Sequence, residues 1–292
     1  MMYGILNEKW KINGGKIMSK VKVGLQLFSI RDYMEKDMDA ALKKVKEIGY
    51  DYVEMAGYFG KSAEEIRAIL DKYDLKCISV HQGLDFYDEK GVEGAEFVKT
   101  LGAEFSVVPW YNKEELYTNM EGTIKKIEEA GKFLKENGLK LLYHNHDFEY
   151  VEVDGELAID TLYNRIDKEY LNPEFDTCWV KYAGYEPTEY LDKYKGRIDI
   201  VHIKDFYAEK LGGGPVYTLI DKDGNEIQVD SKEVNKFEFR PVGSGIQDVK
   251  TIVEASIDAG AKYIIVEQDV WYDDDSLECA KKSREYLKSI GY

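Results

Sequence analysis

Eight short apolar runs, each followed by a stretch of helical periodicity, recur along this chain, and that alternation limits its fold more than any other feature. The runs are VKVGLQLF (21–28), YVEMA (52–56), KCISVH (76–81), FSVVPW (105–110), KLLYHNH (140–146), PEFDT (173–177), IDIVHI (198–203) and YIIVEQD (263–269). Most are rich in β-branched residues, as strands buried on both faces are. Between them, apolar residues fall at helical spacing. Examples are Ala41, Leu42, Val45 and Ile48; Ile124, Ile127, Ala130, Phe133 and Leu134; and Leu277, Ala280, Tyr286 and Leu287. Gly49, Gly102, Gly138 and Gly260 stand just ahead of strands, where a helix C-terminus takes a left-handed residue. Helix, glycine, strand, repeated, predicts βα units and a parallel sheet.

Eight such units in 292 residues match a single closed (β/α)8 barrel, for which ~250 residues is typical. A doubly wound open sheet would need a glycine-rich phosphate loop after its first strand, and here that strand runs into LFSIRDYMEKD. One interval breaks the rhythm. Residues 207–240 contain VYTLIDKDGNEIQV, two alternating runs around Asp223-Gly224, which predicts a β-hairpin excursion between strand 7 and helix 7. The barrel is expected over 21–292. Residues 1–20 read as an extension or a mis-assigned start, with Met18 as the expected natural first residue; the leader MMYGILNEKWKINGGKI has no signal-peptide h-region.

Charge narrows the partners. With 40 basic and 56 acidic residues the net charge is −16, and no Lys/Arg cluster exists to neutralise a nucleic-acid backbone. No run approaches ~18 apolar residues, so no membrane span is expected. Cys77, Cys178 and Cys279 are scattered, without CxxC spacing, which suits a reducing, cytoplasmic setting. A small, neutral or metal-bound ligand fits this chain best.

In a (β/α)8 enzyme the active site lies at the C-terminal ends of the strands. The chain has four histidines, and all fall there: His81 at the end of strand three, His144 and His146 at strand five, His202 at strand seven. A lone histidine of this kind usually only packs; four of four at one end is harder to assign to packing. Glu54, Asp176 and Glu267 join them near the ends of strands two, six and eight. By a period of two, His144 shares a face with His146, and Glu267 with Asp269. A buried carboxylate is costly unless paired or metal-bound, although any one of these acids could simply cap the next helix or meet a rim cation. Imidazole and carboxylate together, without thiolate, suit Mn2+, Zn2+, Co2+ or Mg2+. Such an ion acts as a Lewis acid on a chelated carbonyl, acidifies the adjacent C–H and stabilises an enediolate, while side chains move the proton. At the mouth, Arg31 and Arg240 could meet a substrate oxygen or form rim salt bridges. Lys204 could stabilise an oxyanion or pair with Asp176 or Glu267, and Trp110, Tyr111 and Trp271 could stack on a sugar ring or only pack.

The segments YHNHDFEY (143–150), EFDTCWVKYAG (174–184), VHIKDF (201–206), RPVGSGIQD (240–248) and YIIVEQD (263–269), with the opening VGLQLFSIRD and SVHQG, resemble the sugar phosphate isomerase/epimerase family. That family lies within the xylose-isomerase-like barrel superfamily, beside ketose 3-epimerases, inosose dehydratases and apurinic endonucleases. The likeness runs in order from Val21 to the end. It implies one divalent ion, Mn2+ foremost, held by His144, Asp176, His202 and Glu267. Many relatives have Glu at the position of His144, and its replacement weakens the two-glutamate proton shuttle of the epimerases. It favours inosose-dehydratase-like and C-glycoside-deglycosidase-like lyases, in which a histidine, here His146, serves as base. The endonuclease pattern fails: the histidine it needs three residues after the aspartate falls on Trp179, and its Asp-x-His on Phe239, Arg240 and Pro241.

The leading expectation is a metal-dependent sugar or cyclitol isomerase/epimerase, sometimes dimeric or tetrameric in such relatives. Glu267 or His146 would take the proton, Lys204 or His81 would orient the substrate, and Glu54, Trp110, Arg240 and Arg31 would contact it. The alternatives are a lyase using the same metal site and a catalytically inactive sugar-binding subunit.

Overall fold

The computed structural model describes residues 11–13, 16–18, 21–212, 236–272 and 274–292. Eight parallel strands close into a barrel: β1 (Lys22–Gln26), β2 (Tyr52–Ala56), β3 (Lys76–His81), β4 (Phe105–Val108), β5 (Lys140–His144), β6 (Asn172–Asp176), β7 (Ile200–Ile203) and β8 (Tyr263–Val266). Each pairs with its neighbours in sequence and β8 pairs with β1, so no edge is left open. The helices begin and end on the expected chemistry. Asp37 caps Met38–Ile48 by accepting the Ala40 N–H, Ser62 and Glu65 form a capping box on Ala63–Lys72, and Asn119 caps Met120–Glu136. Gly49 and Gly260, at φ 102° and 111°, make the left-handed exits.

Alternation along each strand divides the interior from the shell. On β7 and β8, Val201, Ile203, Ile264 and Val266 face outward into the large core beneath the helices. Ile200, Tyr263 and Ile265 face inward, where Ile78, Phe105, Val107 and Leu142 join them in a separate apolar plug. These are residues from the starts and middles of the strands, so the plug fills the lower barrel. Each such side chain contributes roughly 1.5–3 kcal/mol by leaving water. Two residues further along the same faces come His202 and Glu267. The periodicity that buries the plug therefore aims the chemistry into the barrel mouth.

After β7 the chain forms a short strand, Asp205–Tyr207, that pairs antiparallel with Glu238–Arg240. The base of the excursion is thus a two-stranded ribbon; the hairpin expected around Asp223-Gly224 lies outside the described residues. Asp205 anchors the returning chain. Its buried carboxylate accepts N–H groups from Phe206, Gly243, Gly245 and Gln247 at 2.9–3.2 Å. Gly245 is required there, since a Cβ would sit 2.1 Å from Asp205 Oδ1. Asp205→Ala strands several donors at once and is expected to cost about 2–4 kcal/mol. Urea unfolding beside the wild type checks this, and an unchanged midpoint refutes the anchoring role.

Candidate metal centre

Barrel register brings the site together. Asp176 on β6 stands opposite His202 on β7, and His144 on β5 stands opposite Glu174 on β6. Glu267 follows β8 directly. One donor atom from each of His144, Asp176, His202 and Glu267 lies within 4.8 Å of the others, and all four side chains are buried.

Asp176 does two jobs with its two oxygens. Oδ1 caps the helix Thr177–Tyr182 by accepting the N–H groups of Cys178 and Trp179. Oδ2 accepts no hydrogen bond and points into the cluster, 3.4 Å from His144 Nε2. His144 has no hydrogen-bond partner on either ring nitrogen, and its Nε2 is 3.6 Å from Glu267 Oε2. His202 Nδ1 lies 3.0 Å from the same oxygen. Ligands bound at about 2.0–2.2 Å to one tetrahedral ion are separated by roughly this much. Buried, orphaned donors at that spacing, two imidazoles and two carboxylates, fit a divalent ion.

Lys204 supplies the fixed positive charge. Its buried ammonium lies 3.1 Å from Asp176 Oδ2, 2.9 Å from Glu267 Oε2 and 2.8 Å from Asp269 Oδ2. Burial opposes ionisation of Glu267, but Lys204 and the two histidines hold its carboxyl well below the usual range. Of the two readings of Lys204 from sequence, the structure shows the ion pairing, with Asp176 and Glu267.

A second tier lies beneath. Glu54 and Glu174 face His81 and His202 across the barrel, with His81 Nε2 3.0 Å from Glu54 Oε1 and 2.9 Å from Glu174 Oε2. Burial alone would lower the His81 pKa, but the two carboxylates raise it to about 10. Glu54 is wholly buried, with both oxygens engaged by Gln26, Ser79, His81 and His202, so it faces the tier below the mouth.

Strand β5 ends at His144, and His146 follows on the loop, still half-buried, with the two rings 5.1 Å apart. Burial, then the His144 and Lys204 charges, lower its pKa well below the usual value, so the ring is neutral. Phe148 stacks on it. The mouth residues are more tightly held than expected. Arg31 donates to the carbonyls of Phe28 and Asp269 and lies against the Phe28 and Trp271 rings, and Arg240 pairs with Glu238. Trp110 is 42% exposed. Trp179, where the endonuclease pattern needs a ligand, packs in an aromatic cluster with Phe237 and Phe239.

Sequence reasoning missed Gln26, Ser79, Glu149 and Glu174. Glu174 had a signal, an acid two residues before Asp176 on an apolar strand, hence on the same face. Glu149 anchors the loop carrying His146: its carboxyl accepts the His146 N–H at 2.7 Å and the Tyr143 hydroxyl at 2.9 Å.

A model for the xylose isomerase-like TIM barrel matches residues 42–290. An inosose dehydratase of Geobacillus kaustophilus is 29% identical over 197 residues, 59% of this chain and 63% of that protein, just under two thirds of its length. An inosose dehydratase of Mesomycoplasma hyopneumoniae is 26% identical over 315 residues, covering 98% of this chain and 99% of its own. The crystal structure of a sugar phosphate isomerase/epimerase from Parabacteroides distasonis superposes with a TM-score of 0.71 at 18% identity, covering 98% of this chain and 99% of that one, a likeness of fold.

Burial raises the Glu149 pKa to about 8, against ~4.3 in an unfolded chain. The folded state therefore keeps a proton that the unfolded state gives up. Its stabilising contribution is full below the unfolded value and is lost as pH rises through about 8. Glu149→Gln mimics the protonated acid and should flatten this part of the pH dependence. Thermal melts between about pH 6 and pH 9 check it: a wild-type loss of Tm no steeper than that of the variant refutes the assignment.

Proposed function

The chain belongs to the xylose isomerase-like TIM barrel family, and from that premise we propose that it is a divalent-metal-dependent lyase of the dehydratase type acting on a ketone-bearing sugar or cyclitol. The observation that carries the reading is the convergence of His144, Asp176, His202 and Glu267, with both His144 ring nitrogens free of hydrogen bonds and Asp176 Oδ2 held only by the Lys204 ion pair. Those four would hold the ion, which when bound supplies Lewis acidity to a chelated carbonyl oxygen.

The remaining work falls to the chain. His146, kept neutral beside this set, takes the proton α to the carbonyl. The C–H electrons form the new C=C bond as the bond from the β-carbon to its leaving oxygen breaks. That oxygen takes a proton from His81, the imidazolium at the end of β3, two strands from β5, and departs as water or an alcohol. Lys204 holds Asp176, Glu267 and Asp269 in place and offsets negative charge as it develops. Glu267, bound by Lys204 and His202, suits the role of ligand better than that of base.

An isomerase or epimerase shares the first step. Elimination is favoured because relatives matched over almost their full length include inosose dehydratases, and because His144 stands where a two-glutamate shuttle needs a carboxylate. A catalytically inactive subunit is disfavoured by an intact ligand set.

Elemental analysis should find about one Mn, Zn or Co per chain, lost in Asp176→Asn. No ion in the wild type after Mn2+ addition would overturn the reading. His146→Gln should keep the ion while turnover of inososes and keto-sugars falls about 10²–10⁴-fold. In D2O it should lose C–H exchange. Retained exchange moves the base elsewhere.

A further inference from the structure

Resting on that reading, we infer that Glu54 is a positioning residue: it holds His202 in the tautomer that offers Nδ1 to the ion. A neutral imidazole carries one N–H, and the group facing each nitrogen decides where it sits. His202 Nδ1 faces Glu267 Oε2 within the ligand set, while Nε2 lies 2.7 Å from Glu54 Oε1 and 3.3 Å from Glu174 Oε2. Carboxylates face both nitrogens and a carboxylate only accepts; with Glu267 turned to the ion, Glu54, the nearer of the two, keeps the proton on Nε2 and leaves the Nδ1 lone pair for the ion.

Glu54 is itself held. The register sets Gln26 opposite Glu54, and a register shift between Val53 and Glu54 brings Ser79 opposite it on the other side. Gln26 donates to Oε1 at 2.7 Å and the Ser79 hydroxyl donates to Oε2. The side chain is wholly buried, so substrate contact does not explain it.

Glu54, His81, Glu174 and His202 are also near enough to hold an ion of their own. Their contacts run 2.7–3.3 Å, and two of them, His81–Glu174 and His202–Glu54, are hydrogen bonds, so the four already pair with one another. The outer set spans 3.0–3.6 Å with donors left over. The outer set is the ion site and the inner set is its brace.

The test is zinc affinity and stoichiometry, by competition with a chromophoric chelator, for the wild type, Glu54→Gln, Glu54→Ala and Asp176→Asn. Two-bond 1H–15N spectra of the zinc-loaded wild type add the histidine tautomers. One zinc per chain is expected, bound about 10–100-fold more weakly in Glu54→Ala. Glu54→Gln, which keeps an acceptor in place, should lose affinity less, and His202 should carry its proton on Nε2. If Glu54→Ala does not fold, the isosteric Glu54→Gln decides alone. Wild-type affinity in the Glu54 variants, zinc on His202 Nε2, or two zincs per chain with one lost in Glu54→Gln would each overturn the inference. Those outcomes count against Glu54 alone while the wild type binds zinc and Asp176→Asn loses it. A wild type without zinc, or Asp176→Asn that keeps it, overturns the metal reading and this inference with it.

Discussion

Five carboxylates, Glu54, Glu174, Asp176, Glu267 and Asp269, are buried in the upper half of this barrel, and the rest of the site answers that concentration of negative charge. Each would cost several kcal/mol if left unpaired. Lys204 spans three of them, and His81 and His202 sit between the other two and Glu267. Even so, both nitrogens of His144 and Glu174 Oε1 lack a hydrogen-bond partner, and Asp176 Oδ2 has only the Lys204 ion pair. Native proteins rarely leave such groups unmet. A divalent cation in the outer set would relieve the excess charge and satisfy His144 and Asp176 Oδ2 together.

The barrel can carry this load because its lower half is an apolar plug from which the polar tiers rise along the same strand faces. The two histidines proposed to move protons sit differently: His146 lies outside the buried ligand set, whereas His81 also pairs with Glu54 and Glu174. His146 lies on a loop anchored by Glu149, and His81 ends β3, so both reach the mouth while the ligands remain buried. The Asp205 anchor ties down the chain beside them, which puts the returning Gly243–Gln247 segment under the control of one carboxylate.

Much of this was legible in the sequence, for a specific reason. A strand period of two and a helix period near 3.6 are local, so the eight units and the inward face of each strand could be read from spacing alone. His144, Asp176, His202 and Glu267 could be singled out because histidines and acids at the ends of apolar strands stand out against their background, and the family resemblance grouped them as one ligand set. Glu54 was expected to contact substrate, and the structure buries it wholly. Its height depends on the register shift at Val53/Glu54, which no local pattern records. Gln26 and Ser79 matter only through the cross-strand positions they occupy, and Arg31 and Arg240 only through the partners that engage them.

The sequence by itself therefore determined the barrel, the end at which chemistry sits and the kinds of donor available, because periodicity and composition are properties of neighbouring residues. Only the tertiary structure decided which nitrogen of His202 meets Glu54, that Asp176 caps a helix with one oxygen and keeps the other for the site, and that Lys204 lies between three acids. The His202 and Lys204 contacts join residues from 28 to 148 positions apart, and they arise from barrel closure and register, which one strand cannot encode alone; the Asp176 cap is local, but the site its other oxygen faces is not.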